Sequence, residues 1–347
     1  MSEYQKENTR TKITLDDIAK ELGCSKTTVS RALSGKGRIS DGMRKKVLAY
    51  SEQCGYKPNI LAKGLADSKT YNIGVVLPDD QDLNEIPFFQ NCLLGICEVT
   101  SGMGYDIVVT TINVNDISKL RGIVEKHKVD GIVLTRSLVE DPAVIYLLEQ
   151  NIPFIVVGSH KNPEVLQVDN HHVEACRELT SLLLTRNVNR IAFIGGNLNH
   201  MVSQKRFAGF KEGMEIHRHK IKKELVFLNC NTKILVEQAV DKILEQQVDC
   251  ILCMDDKICV QVLMKLNQEH LSIPRDIKVA SFYDNLFLQC HNPPITALQF
   301  DERELGRMAG KMILHVLSGK EIPKKVYLEY DIVLRPSTKQ SNLLSSS

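Results

Sequence analysis

The fold of the N-terminal part is decided by residues 14–40, which read TLDDIAKELGCSKTTVSRALSGKGRIS. Apolar residues recur three and four positions apart here and on to Cys54, which is the period of an amphipathic helix. Gly23 and Gly35–Gly37 interrupt this period. Hydroxyl residues that can cap the first backbone N–H groups precede the three helical stretches: Thr14, Ser25 and Ser40. The pattern predicts three short helices with too little apolar material for a large core.

Positive charge is concentrated in the same part of the chain. The whole chain of 347 residues has a formal net charge of +2, whereas residues 1–66 carry 13 Lys and Arg against 7 Asp and Glu. This head therefore has a charge of +6, which leaves −4 for the remainder. A basic head on a mildly acidic body favours a polyanion as the partner of the head, although an ordinary solvated face can have the same composition.

After Tyr71 the sequence alternates between short apolar runs and amphipathic stretches. The apolar runs, read as buried strands, are Ile73–Leu77, Ile107–Val109, Gly131–Leu134, Phe154–Val157, Ile191–Ile194, Cys250–Cys253 and Lys278–Phe282. Helix-like segments lie between them, around Phe89–Thr100, Ile117–Lys126, Ala143–Glu149, Val173–Leu184, Lys205–Glu215, Ile234–Glu245 and Val260–Glu269. This alternation indicates parallel sheets with helical crossovers. Because the units extend over about 260 residues, two α/β lobes are expected rather than one sheet.

Residues 57–70, KPNILAKGLADSKT, separate the head from the body. Pro58 ends the third helix, Asn59 can cap a new one, and Ile60–Ala66 has too few turns to be stable alone in water. The segment is therefore interpreted as a linker that folds only with a partner. An ordinary flexible tether is the alternative.

The ten cysteines do not indicate a secreted protein. The chain opens MSEYQKENTR without an apolar signal region, and no stretch approaches the roughly 20 apolar residues of a membrane span. We therefore expect a cytoplasmic protein with reduced, mostly buried thiols and no membrane contact. Cys250 and Cys253 could form half of a zinc site, but no second pair follows at zinc-site spacing. No metal or other cofactor is expected.

Three features occur in order: the helix-turn-helix segment, the hinge KPNILAKGLA, and a body that begins YNIGVVLP at Tyr71. In this combination the sequence resembles the LacI/GalR family of repressors over essentially its full length. The most specific part of the resemblance is the string Thr14-Leu15, Ile18-Ala19, Gly23, Ser25 and Thr28-Val29-Ser30-Arg31. The resemblance implies a three-helix DNA-binding domain at 1–57, a hinge helix at 58–70, a two-lobed α/β effector domain of the periplasmic-binding-protein type with parallel sheets at 71–338, and a tail at 339–347. It implies an N-lobe of about 71–167 and 298–325 and a C-lobe of about 168–297 and 326–338.

By this resemblance, the second helix of the head enters the major groove of DNA. The base-reading positions are then Lys26, Thr27 and Arg31, of which Arg31 can bond guanine in bidentate fashion. Leu15 and the residues suited to phosphate oxygens complete the set: Thr14, Ser25, Thr28 and Ser30. Helix capping is the alternative role of each Ser and Thr.

In the hinge, the family places a leucine from each subunit in the minor groove, where it bends the duplex. That position is Leu65, and Asn59, Ala62 and Lys63 fit the same pattern. Lys63 stands where the family commonly has arginine, which enters a narrow groove more readily.

The body resembles sugar-binding proteins with two lobes, three crossings and a cleft between them, and segments such as Gln167-Val168-Asp169-Asn170 match the family in order. The implied effector contacts are Phe88, Phe89, His200, Arg206, Asp255 and Asp284. Carboxylates, an arginine and an aromatic ring suit a sugar or related polyol. The alternative is that Phe88 and Phe89 belong partly to the core and that Asp255 and Asp256 cap a helix.

The sequence departs from the family on the effector side. His200 and Met201 occupy a loop where relatives place other ligand contacts, and a bulky Phe282 is expected to narrow the cleft. Asn187-Val188-Asn189 replaces a glycine-histidine turn, and the chain contains no Trp for stacking. The identity of the effector therefore cannot be transferred from a relative.

The function implied by the resemblance is a repressor that binds a palindromic operator in double-stranded DNA as a homodimer. A small molecule in the cleft would control binding by shifting the population of lobe arrangements. The tail SNLLSSS lacks coiled-coil heptads, which favours a dimer over a tetramer. A cytoplasmic solute-binding receptor and an enzyme on a doubly wound sheet are the alternatives. No dinucleotide fingerprint, phosphate loop or nucleophile elbow supports an enzyme.

Overall fold

The computed structural model describes residues 13–35, 37–56, 64–65, 67–79 and 87–339. Its contacts divide the chain into two compact units, Met1–Lys69 and Thr70–Ser347. Among the described residues, no helix combines the length and the apolar character that crossing a bilayer requires.

The first unit contains the three predicted helices, α1 (Leu15–Glu21), α2 (Lys26–Ser34) and α3 (Asp41–Gln53). The predicted caps are confirmed, because the side-chain oxygens of Thr14, Ser25 and Ser40 accept from the backbone N–H groups of Asp17, Thr28 and Met43 at 3.3, 3.1 and 3.4 Å. Five buried side chains hold the helices together: Ile18, Ala19, Val29, Ala32 and Val47. Gly23, between α1 and α2, has φ +61°, a left-handed conformation that favours glycine.

The second unit contains twelve strands within its described residues. In chain order they are β1 (Asn72–Pro78), β2 (Asp106–Ile112), β3 (Gly131–Leu134), β4 (Phe154–Val157), β5 (Gln167–Asn170), β6 (Ile191–Ile194), β7 (Val226–Phe227), β8 (Cys250–Cys253), β9 (Lys278–Ser281), β10 (Thr296–Phe300), β11 (Lys325–Leu328) and β12 (Tyr330–Val333). They form two six-stranded sheets, ordered β11-β5-β4-β3-β1-β2 and β12-β10-β9-β8-β6-β7. All neighbouring strands pair in parallel except β10 and β12, which are antiparallel. The two-lobed parallel architecture predicted from the sequence is confirmed.

Helices connect the strands and cover the sheets. They are α4 (Pro87–Ser101), α5 (Ser118–Glu125), α6 (Pro142–Glu149), α7 (His172–Thr185), α8 (Met201–Ile216), α9 (Lys233–Leu244), α10 (Asp256–Gln268), α11 (Leu286–Cys290) and α12 (Glu302–Leu317), with short 3₁₀ turns at Lys223–Leu225 and Pro336–Thr338. Helices α4 and α12 pack closely in the N-lobe. Their backbones meet at glycine, because a Cβ at Gly306 would lie 2.1 Å from the carbonyl oxygen of Cys92. Any side chain there would therefore force the helices apart.

The chain crosses between the lobes three times: between β5 and α7, between β10 and α12, and between β11 and β12. The lobe boundaries predicted from the sequence were 167/168, 297/298 and 325/326. Each of these boundaries falls inside a strand. The chain crosses only after the strand has ended. The prediction was early because an apolar run does not reveal which sheet its strand will join.

Candidate functional site

One face of α2 is open to solvent. Lys26, Thr27, Ser30 and Arg31 are all exposed, whereas Val29 and Ala32 on the same helix are buried. At 100° per residue the four exposed positions share one side of the helix, opposite the buried pair. This open face includes the three residues predicted to read bases.

Lys26 and Arg31 have different surroundings. The ammonium of Lys26 lies 2.7 Å from the Asp16 carboxylate of α1, and both side chains are exposed. The side chain of Arg31 crosses the loop after α2 at Gly37, where an added Cβ would lie 3.0 Å from Arg31 Cδ. Gly37 also has φ +87°, so a larger residue there would be strained. Asp16 therefore competes with other partners for Lys26, whereas Arg31 lies against a glycine in the loop after α2.

Two of the four hydroxyl residues predicted to contact phosphate, Thr14 and Ser25, cap helices. Thr14 Oγ1 donates to Asp17 Oδ2 at 2.7 Å, and the hydroxyls of Ser25 and Thr28 lie 2.9 Å apart. Leu15 is half-buried and packs against the small core of the head. The alternative reading of Thr14 and Ser25 as caps is therefore confirmed, and their contact with phosphate remains a prediction.

Of the predicted hinge contacts, Asn59, Ala62 and Lys63 lie outside the described residues. Leu65 is described, and 85% of its surface is exposed. Such exposure of a leucine leaves its apolar side chain available to a partner.

A cavity of about 190 Å³ lies between the two lobes of the second unit. This volume is many times the roughly 10–15 Å³ that one water molecule requires. The lining residues are Phe88, Phe89, Thr135, Arg136, Ser137, Val157, Gly158, Asp169, Asn170, His172, His200, Val202, Arg206, Asp255, Asp256, Lys257, Tyr283 and Leu305. Five of the six predicted effector contacts are among them, namely Phe88, Phe89, His200, Arg206 and Asp255.

Asp284 does not line the cavity. Its two carboxylate oxygens accept from the guanidinium of Arg335 at 2.9 and 2.6 Å, and Gln289 Nε2 donates to Oδ2 at 3.1 Å. The residue before it, Tyr283, lines the cavity instead. The expectation that Phe282 narrows the cleft was also wrong, because this ring lies in the C-lobe core, 6.0 Å from the ring of Phe193.

Arg206 presents a buried cation at the cavity. Only 8% of its surface is exposed, Nη1 donates to the carbonyl oxygen of Met254 at 3.1 Å, and the guanidinium lies 5.1 Å from the ring centre of Tyr283. No carboxylate of the described residues is within ion-pairing distance of it, and its Nε has no hydrogen-bond partner there. A buried guanidinium with unused donors is a strong candidate to bind ligand oxygen atoms.

Two consecutive carboxylates face the same cavity from the start of α10. Asp255 accepts from the backbone N–H of Ile258 at 2.8 Å and therefore caps the helix, which was the alternative role predicted for it. Asp255 also lines the cavity. Asp256 accepts from Asn285 Nδ2 at 2.9 Å. Burial, and then repulsion from Asp255, raises the pKa of Asp256 to about 6. Burial also raises the pKa of Asp255, against the effect of nearby Arg206.

At the crossing end of the cavity, Asp169 is held by several donors. Ser159 Oγ donates at 2.6 Å and Lys205 Nζ at 3.2 Å, both to Oδ2, while His172 Nε2 lies 3.4 Å from Oδ1. Burial alone would raise the pKa of Asp169, but His172, Lys205 and Ser159 together hold it below its ordinary value. Asp169 is therefore ionised at neutral pH.

Several lining residues were not predicted from the sequence, among them Asn170, His172 and Tyr283. Asn170 and Tyr283 stand where a strand of the parallel sheet ends, and such positions collect at one edge of a sheet. That rule could have identified them. Nothing in the pattern distinguishes His172 from an ordinary first residue of a helix.

The lobes also meet at two loops that line the cavity through Ser137 and His200. The backbone N–H of Val139 donates to Asn199 at 2.9 Å, and that of Met201 donates to Ser137 at 3.2 Å. These bonds join the loop after β3 to the loop that carries His200. Among the described residues, no group of His, Cys, Asp and Glu is arranged to hold a metal ion.

Comparison with known proteins identifies both parts of the chain. Residues 14–59 match the family described as "Bacterial regulatory proteins, lacI family", and residues 180–338 match the "Periplasmic binding protein-like domain". The HTH-type transcriptional regulator MalR of Streptococcus pneumoniae is 30% identical over 328 residues, which are 90% of this chain and 95% of that protein.

Solved structures share the fold. The probable maltose operon transcriptional repressor malR of Staphylococcus aureus has a TM-score of 0.73 at 26% identity, covering 79% of this chain and 99% of that one. The lac repressor dimer bound to operator and an anti-inducer has a TM-score of 0.77 at 20% identity, covering 94% and 99%. The chain therefore belongs to the lacI family of bacterial regulatory proteins, whose members are DNA-binding transcription regulators with a periplasmic-binding-protein-like effector domain.

Proposed function

We propose that this regulator is a repressor that binds a palindromic operator as a homodimer, and that a small neutral sugar in the interlobe cavity controls binding. The open face of α2 supports the proposed binding of operator DNA. Lys26 and Arg31 are exposed there beside hydroxyl residues, and this is the composition that reads base edges and contacts phosphates. Exposed Leu65 supplies an apolar wedge for the minor groove.

The chemistry of the cavity supports the sugar. Arg206 offers donors, Asp255 and Asp256 offer acceptors, and Phe88 and Tyr283 offer rings that can cover an apolar sugar face. Donors and acceptors are mixed, so a polyhydroxylated neutral molecule matches them better than an ion of either sign. Because the maltose operon repressor malR is a relative, maltose is the first probe, with cellobiose and glucose for comparison.

A second copy of the chain would account for an apolar patch on the C-lobe. Leu286 and Phe287 of α11 are 73% and 51% exposed, and Met264 of the adjoining α10 is 47% exposed. An operator with two symmetric half-sites requires two recognition helices at a fixed separation, which a dimer supplies. We therefore assign this patch to the contact between two subunits, as a self-complementary surface. Charged substitutions there, Leu286→Glu with Phe287→Glu, should yield a monomer in sedimentation with weaker operator binding.

The decisive experiment is operator selection from a random duplex library with the purified full-length chain, followed by fluorescence anisotropy. We expect a palindromic site, weaker binding when half the duplex is randomised, and loss of the preference when five base pairs are inserted between half-sites. Addition of maltose, cellobiose or glucose should change the operator Kd. Binding that is indifferent to palindromy and spacing would contradict the repressor proposal.

A further inference from the structure

The imidazole of His172 stands at the first crossing between the lobes, as the first residue of α7 directly after β5. It lines the cavity with 5% of its surface exposed. Nε2 lies 3.4 Å from Asp169 Oδ1, and Nδ1 is buried with no hydrogen-bond partner within the described part of the chain. A buried polar atom without a partner is costly, and the cavity that the His172 side chain lines is the place from which a ligand atom could approach and satisfy it.

The surroundings of the ring determine which nitrogen carries the proton. Asp169 is ionised and has no proton to donate, and its Oδ1 already accepts from the backbone N–H of Asn170 at 2.9 Å. The histidine nitrogen that faces this oxygen at 3.4 Å must therefore carry the proton. Burial lowers the pKa of His172 while Asp169 opposes the shift, and the cations of Lys205 and Arg206 on α8 act in the same direction as burial. A neutral ring with its proton on Nε2 follows, and its Nδ1 is then an acceptor.

The same ring contacts the second crossing directly and the third through Phe300. It meets the ring of Phe300, the last residue of β10, edge-on at 4.9 Å, and Phe300 lies 6.5 Å from the ring of Tyr330 in β12. These three residues stand at the first, second and third crossings. A ligand atom bonded to His172 would therefore act on a ring that stands at the first crossing and packs against the second.

We propose that His172 determines effector specificity by accepting, at Nδ1, a hydrogen bond from a ligand hydroxyl, and that this bond transmits occupancy of the cavity to the lobe crossings. The inference rests on the proposed sugar-controlled function and specifies one contact of that site. Asn170 Oδ1 is a second buried acceptor without a partner in the described residues, and it lines the same cavity. Two acceptors at one end select a ligand that presents hydroxyl donors there.

Three substitutions separate the roles of the two nitrogens. His172→Phe keeps a ring against Phe300 and removes both nitrogens. His172→Asn keeps an acceptor near the position of Nδ1, whereas His172→Gln keeps a donor near Asp169 and removes the Nδ1 acceptor. Calorimetric titration of full-length protein with maltose, cellobiose and glucose should give about tenfold weaker binding of the accepted sugar for Phe and Gln, and a smaller loss for Asn.

Monodeoxy analogues of the accepted sugar identify the donor. We expect one analogue to bind the natural protein about tenfold more weakly and to bind His172→Phe no more weakly than the parent sugar does. Unchanged Kd values for His172→Phe with the sugar and all its analogues would overturn this inference alone. If the natural protein binds none of the three sugars, the proposed effector class is wrong and the inference falls with it.

A measurement on the unsubstituted protein covers the case in which the variants do not fold. Nitrogen-15 NMR of the histidine-labelled full chain should show a neutral His172 with its proton on Nε2 at neutral pH. A proton on Nδ1 would leave no acceptor and would exclude the proposed bond.

Discussion

Arg335 and Asp284 form a bidentate ion pair inside the C-lobe, with nitrogen–oxygen distances of 2.9 and 2.6 Å and only 3% of the Asp284 side chain exposed. Arg335 follows β12 and also donates to the carbonyl oxygen of Ile295 at 2.6 Å. Arg335 therefore fastens the last described segment of the chain to the loop after β9, through Asp284, and to the residue before β10, through Ile295. Its role is structural, although the sequence had suggested that Asp284 binds the effector.

Removal of one partner of this pair should destabilise the protein. We expect Arg335→Leu to lower the free energy of unfolding by about 3–5 kcal/mol in urea titrations, because it leaves a buried carboxylate without its cation. The double variant with Asp284→Asn should lose less than the sum of the single losses. Sugar affinity of folded Asp284→Asn should equal that of the natural protein. A selective loss of sugar affinity without loss of stability would restore Asp284 as an effector contact.

The pair between Lys26 and Asp16 makes a prediction about DNA binding. Asp16→Asn should leave stability within about 0.5 kcal/mol, because exposed ion pairs contribute little. It should tighten operator binding, since it removes a carboxylate that competes with DNA for Lys26 and that repels the phosphates. Lys26→Ala should weaken binding and, if Lys26 contacts phosphate, reduce the slope of log K against log salt by about one. Lys20→Ala on α1 is the matched control, and an equal effect there would contradict the special role of Lys26.

Arg31 should contribute specificity. We expect Arg31→Ala to reduce discrimination at one base pair of each half-site by about 1–3 kcal/mol, measured by competition with singly mutated operators. Leu65→Ala is the contrasting variant, because loss of a minor-groove wedge should weaken operator binding through loss of the bend without relaxing a single base position. Equal effects of both substitutions on non-specific DNA would contradict these assignments.

The sequence predicted best what is local in the chain. The caps at Thr14, Ser25 and Ser40 each involve a partner three residues away, so their spacing can be read directly. The partner of Asp284 is 51 residues distant, and only the folded C-lobe brings the two together. Whether Asp284 faced a ligand or a cation was therefore not decided by its motif.

The exact positions of the lobe crossings and the place of His172 at the cavity were not predicted, for the same reason. A strand such as β5 has the same apolar pattern in either sheet, so its lobe depends on pairing with β4 and β11. The environment of His172 arises from residues of β5, α8 and β10, which converge only in the folded body. The residue types and the spacing of apolar residues do not show which distant segments of the chain will meet in the folded protein.

The raised pKa of Asp256 makes a prediction about stability and pH. The folded-state pKa of about 6 lies above the ordinary value of 3.8, because ionising this carboxyl in its buried position costs free energy. At low pH the carboxyl is protonated in both the folded and the unfolded state, so this cost is absent. As pH rises to about 6, the unfolded chain ionises first and stability falls. The shift of about two units corresponds to about 3 kcal/mol. Asp256→Asn should therefore flatten the pH dependence of urea unfolding between pH 4.5 and 7.5 and raise stability at the upper end.

Asp276 supplies the contrast for this experiment. The guanidinium of Arg275 and the backbone N–H of Ser272 lower the pKa of Asp276 to about 2, so its ionised form stabilises the fold and its contribution is lost only as pH falls towards that value. Asp276→Asn should consequently lower stability at neutral pH, in the opposite direction to Asp256→Asn. If unfolding free energy changed with pH in parallel for Asp256→Asn and the natural protein across this range, the carboxyl of Asp256 would ionise without a cost to stability, which would contradict its raised pKa.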